Sequence, residues 1–103
     1  MNNQSTVSKM DVYFICLGED GLSTALSLTN ELRQSRLNVM FDPMRRSLKA
    51  QLREANKSGA RFALILGDTE MKNGTVVFKD LKKGEQKNIL QKKIKNLFDN
   101  LTN

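Results

Sequence analysis

At 103 residues the chain is long enough for one domain around one core, and too short for two. An apolar content of 39% beside 27% charged residues fits a folded protein, and a net charge of +6 favours a polyanionic partner, nucleic acid ahead of an acidic membrane surface. With no histidine and only one cysteine, the chain excludes Ser-His and Cys-His catalysis, imidazole or cysteine-cluster metal sites, and an internal disulfide.

Residues 1–9 are polar and aperiodic, and are expected to form a flexible lead-in to a single domain over 10–103. They also lack the apolar core of a signal peptide, and no apolar run approaches the ~18 residues of a membrane span, so a cytoplasmic location without membrane insertion is expected. "DVYFICLG" (11–18) is a nearly unbroken apolar run closed by glycine, which predicts a strand buried on both faces, as in a parallel sheet. Cys16 within it reads as an inert buried thiol. Residues 21–36 follow as a helix, with Leu22, Ala25, Leu26 and Leu32 as its apolar stripe.

"NVMFD" (38–42) is a second short strand. The next helix runs from Ser47 to about Lys57, with Ser47 as N-cap and Gly59 placed to close it in a left-handed conformation. "RFALILGD" (61–68) is a third buried strand. Turn signals at Asn73-Gly74 and Lys83-Gly84 then set off two further strands, near 75–79 and 86–89. In the first of these, Val76 and Phe78 share one face, expected to be core, while Val77 and Lys79 share the other. From Leu90 to Leu101, Leu90, Ile94, Leu97, Phe98 and Leu101 recur at helical spacing and predict an amphipathic helix.

The order β-α-β-α-β-β-β-α implies parallel pairing with right-handed crossovers in the first half and a hairpin in the second. Ligands of such sheets gather beyond the carboxyl ends of the strands, where Gly18-Glu19, Asp42 through Arg46, and Gly67-Asp68 are expected to converge. Arg45 and Arg46 are the unusual members. Cations at a helix start meet the positive end of its dipole, at about 0.3–1 kcal/mol each. They are either solvated charges with packed stems, or donors that join the free N–H groups of the helix start in holding phosphate.

Glu19, Asp20, Asp68 and Glu70 fit loop caps better than paired catalytic carboxylates, since no partner group accompanies them. "LGEDGL" (17–22) is neither GxGxxG nor a phosphate loop. No catalytic residue, metal or cofactor is expected. Among the lysines of the last third, Lys92, Lys93 and Lys95 read as a solvated helix face. Lys79 and Lys82 flank the strand bearing Phe78, a setting that suits single-stranded RNA if the aromatic is not buried.

"DVYFICLGED" and the run from "ALSLTNELRQSRLNVMFDPMRRSLKAQLREANKSGARFALILGDTE" through "NGTVVFKDLKKGEQ" resemble the carboxyl-terminal anticodon-binding domain of class II aminoacyl-tRNA synthetases, most closely that of histidyl-tRNA synthetases. The resemblance covers Asp11 to Leu101. It implies a three-layer α/β/α fold with a five-stranded mixed sheet, order 2-1-3-4-5, strand 4 antiparallel. It further implies recognition of the histidine tRNA anticodon loop, with a synthetase catalytic domain as partner if the chain is part of a longer one. The class II catalytic motifs are missing here, so this chain alone is not expected to aminoacylate, although it resembles part of a histidine–tRNA ligase. The contact positions carried over are Arg45 and Arg46 at the helix start, Glu70 after the third strand, Lys79 on the fourth, and Glu19 after the first. The alternative is an accessory or protein-interaction module that kept this fold and lost tRNA recognition.

Overall fold

β1 (Val12–Cys16) is buried along its whole length, and the rest of the molecule is arranged around it. The computed structural model describes residues 11–43 and 47–102, so the expected lead-in over 1–9 lies outside the described residues. β2 (Val39–Phe41) and β3 (Phe62–Leu66) flank β1 and run parallel to it, joined through α1 (Leu22–Gln34) and α2 (Leu48–Ser58). β4 (Thr75–Asp80) turns antiparallel against β3, and β5 (Glu85–Leu90) antiparallel against β4. The sheet order is therefore β2-β1-β3-β4-β5 with β4 reversed, as the resemblance implied.

One face of the sheet carries α1 and α4 (Ile94–Thr102), packed over Val12, Phe14, Leu64, Val76 and Phe78. Phe62 and Phe78 stack at 5.0 Å, and the buried Phe98 of α4 meets both edge-on at 5.5 and 5.6 Å. The other face carries α2, whose Ala55 packs with Tyr13, Ile15 and Ile65. Helix α2 is bounded as its sequence predicts. Ser47 Oγ accepts the Ala50 N–H at 3.1 Å, and Gly59 closes the helix at φ 79°.

Four points differ from expectation. Of the expected α1 stripe, Ala25 and Leu32 are buried and Leu22 packs partly buried against the core, while Leu26 is half exposed; the buried set Ala25, Leu28, Thr29 and Leu32 keeps the i, i+3, i+4, i+7 spacing of one face, and Leu26 sits off it. The helix also stops at Gln34 rather than 36. Arg36 takes φ 68°, its N–H donates to Arg33 O at 3.0 Å, and Leu37 N–H donates to Leu32 O at 3.3 Å. That is a Schellman closure with arginine where glycine is usual.

A helix between β3 and β4, α3 (Asp68–Asn73), was not expected; six residues with none buried carry no apolar period to read. Finally, Leu90 to Leu101 is not one helix. Leu90 ends β5, a 3-10 turn (Gln91–Lys93) follows, and α4 begins at Ile94, so Leu90 and Leu101 are exposed while Ile94 and Phe98 are core.

The backbone pairing also fixes what the sheet edges present. Leu81 N–H donates to Arg61 O and Gln91 N–H to Gly74 O. By the alternation of an antiparallel ladder, Glu85, Lys87 and Ile89 aim their main-chain groups at β4, and Gln86, Asn88 and Leu90 aim theirs outward. At the opposite edge, the Arg33 guanidinium donates to Val39 O at 2.8 Å and occupies part of the β2 margin.

Candidate nucleic-acid interface

The rim beyond the carboxyl ends of β1 and β3 is where two predicted loops meet. Leu17 N–H donates to Leu66 O at 2.9 Å, prolonging the β1–β3 pairing to the brink of both loops. Gly18 turns there with φ 93°, and a side chain at that position would come within 3.5 Å of Asp68 Oδ1. Glu19 follows in the β1–α1 loop, exposed, with its carbonyl accepting the Leu22 N–H at 3.1 Å. The Gly18-Glu19 and Gly67-Asp68 loops are thus neighbours, as strand order requires.

Glu70 is the third residue of α3 and half-buried. Its Oε1 accepts the Gly67 N–H at 2.7 Å, folding the side chain back over the start of its own helix. This fixes the carboxylate at the rim while using one of its roughly four acceptor sites. The sequence reads Glu70 as a loop cap; the structure makes it the cap of α3, a helix the sequence does not show.

Lys79 lies elsewhere. It pairs with Ala63 at the amino end of β3, four residues along β4 from Thr75, or ~13 Å at 3.3 Å per residue. Its side chain shares the α2-bearing face with Val77, and its cross-strand neighbour is the exposed Gln86 of β5. On that face Val77 packs against the cluster under α2 and Lys79 is half-buried, while Gln86 and Asn88 of β5 are exposed. Phe78 points to the opposite face and is core, as its alternation predicts, so it offers no stacking surface beside Lys79. Arg45 and Arg46 lie outside the described residues.

A residue that the sequence did not single out ties the rim together. The Gln91 side chain donates from Nε2 to Thr75 O at 2.9 Å, with a longer 3.5 Å bond to Glu70 O. Its backbone N–H donates to Gly74 O at 2.9 Å. The 3-10 turn bearing Lys92 and Lys93 is thereby fastened to the end of α3. Only the structural break at Leu90 reveals this, since a continuous helix would carry both lysines away along the α4 surface.

Two other polar groups have structural work. At the far end of the sheet, Asp80 accepts the Lys82 and Lys83 N–H groups at 3.0 and 3.1 Å, with Arg61 Nε at 3.8 Å. The Lys83 N–H first, then the Lys82 N–H and the nearby cations, hold its carboxyl below the usual carboxylate range despite desolvation. Burial pushes the Cys16 thiol up, which makes it a poorer nucleophile. Among the described residues there is no cluster of three His, Cys, Asp or Glu that could hold a metal, and no helix is long and apolar enough to cross a membrane.

A sheet of this order, with helices on both faces, has the architecture of anticodon-binding domains. The anticodon binding domain family matches residues 11–102, and the chain belongs to that family. It is 40% identical over 84 residues to a histidine–tRNA ligase of Natranaerobius thermophilus, across 82% of this chain and 20% of that protein. It is 41% identical over 75 residues to the histidine–tRNA ligase of Thermotoga maritima, across 73% of this chain and 18% of that protein. The chain thus spans about a fifth of the length of the curated relatives it matches.

Among solved structures, the apo histidyl-tRNA synthetase of S. aureus superposes with a TM-score of 0.82 at 25% identity, covering 93% of this chain and 25% of that one. The RNA binding domain of a threonyl-tRNA synthetase from Cryptosporidium parvum shares the fold, with a TM-score of 0.80 at 16% identity over 89% of this chain and 23% of that one.

Proposed function

We propose that the chain recognises the anticodon loop of a histidine tRNA, acting beside a synthetase catalytic domain that this sequence does not contain. The observation that carries this reading is Glu70, a carboxylate fixed at the ligand-gathering rim by its own helix. Its remaining acceptor sites suit the N1–H and N2–H donors of an unstacked guanine, and the histidine anticodon GUG has two guanines. Arg45 and Arg46, placed by sequence before α2, supply donors for phosphate. Lys79 on β4 and Glu19 on the neighbouring loop are the further contacts.

The test is a titration of the chain with a GUG anticodon stem-loop and with a loop whose guanines are replaced by adenine. Tighter binding of the GUG loop is expected. Equal affinity for the two loops, or no binding to either, overturns the proposal in favour of an interaction module that lost tRNA recognition.

A further inference from the structure

We infer that Lys92 and Lys93 hold the RNA backbone on either side of the base taken at Glu70, an inference that rests on the anticodon-loop reading above. A carboxylate that reads a base also places a negative charge beside the phosphates of that nucleotide. The rim compounds the problem, because Glu19 and Asp20 in the β1–α1 loop face Asp68 at the start of α3 there. A polyanion approaching this edge needs cations mounted close to Glu70.

The 3-10 turn supplies them. Gln91 hydrogen-bonds the carbonyl of Glu70 itself, so Lys92 follows directly after a residue touching the proposed reader. The two further Gln91 bonds, to Thr75 O and Gly74 O, keep the turn from drifting. At three residues per turn, successive side chains diverge by about 120°, which sends the two lysines to different phosphates rather than to one.

Their charge is also unspent. Lys95, one turn on, is paired with Asp99 at 3.4 Å, and Arg61 faces Asp80. Among the described residues, no ion pair or hydrogen bond engages Lys92 or Lys93, and both are exposed.

The experiment compares the salt dependence of GUG stem-loop binding for the parent chain, Lys92→Gln, Lys93→Gln and the double variant. Each lost contact to a single-stranded phosphate should flatten the plot of log affinity against log salt by about 0.7, and the double variant by about 1.4. The preference for GUG over the adenine-substituted loop should stay as in the parent. Lys95→Gln should leave the slope alone, and the double Lys→Arg variant should restore it. If the parent discriminates between loops but the double Gln variant keeps the parental slope, the lysine assignment is wrong and the anticodon reading stands. If the parent fails to discriminate, both fall.

Discussion

Replacing Glu70 with glutamine keeps an acceptor for the Gly67 N–H but removes the charge and about half of the acceptor capacity of the side chain. Glutamine serves at this position of a capping box as glutamate does, so the unfolding free energy should change by less than about 0.5 kcal/mol. Glu70→Ala instead strands the partly buried Gly67 N–H and should cost about 1 kcal/mol. Binding should follow a different order. Against guanine, the glutamine amide sets a donor opposite a donor, and a lost base contact is worth roughly 1–3 kcal/mol, or about 5- to 150-fold. Fluorescence anisotropy at fixed salt, with GUG and adenine-substituted loops, should therefore show Glu70→Gln losing affinity for the first and little for the second. Urea unfolding measures stability on the same samples. A Gln variant with normal stability and undiminished GUG preference would leave Glu70 a helix cap and nothing more.

Phe98→Ala removes the ring that bridges Phe62 and Phe78 and should destabilise by about 3–5 kcal/mol, a large share of a typical stability of about 5–15 kcal/mol; an unchanged urea midpoint contradicts the proposed core. Arg36→Gly relieves the left-handed conformation that closes α1 and should raise stability by about 0.5–1 kcal/mol after the entropy lost by glycine, whereas a decrease in thermal midpoint counts against that closure. Asp80 has a lowered native pKa, so its ionised form stabilises the fold above the unfolded-state value near 3.9, and that contribution fades as pH falls through the lower native value. The gap in urea midpoint between the parent and Asp80→Asn should accordingly be largest near neutrality and narrow below about pH 4. A gap independent of pH opposes the assignment.

Sequence pattern reached furthest where burial is continuous or a cap is local. β1 and β3 were legible because both faces are covered, and α2 because Ser47 and Gly59 mark its two ends. The resemblance supplied what pattern could not, namely the strand order and the reversal of β4. Misreadings fell where one residue serves two geometries. Leu90 fits a helical period with Ile94, yet it pairs with Thr75 as the last residue of a strand. Leu26 is apolar but lies off the face that Ala25 and Leu32 define. Glu70 was found as a rim carboxylate without its helix, and Gln91 was not found at all, since its importance lies in three hydrogen bonds to residues far back in the chain.

The outward alternation of β5 has a consequence for how that strand tolerates proline. Gln86, Asn88 and Leu90 turn their amides away from β4, so an imino acid at one of them forfeits no rung of the sheet. At Glu85, Lys87 or Ile89 the same change cuts a rung and should unfasten the hairpin. A proline scan along six residues would therefore alternate between folded and unfolded products, and Asn88→Pro would remove the central outward amide and weaken the margin's hold on a stray strand from another molecule.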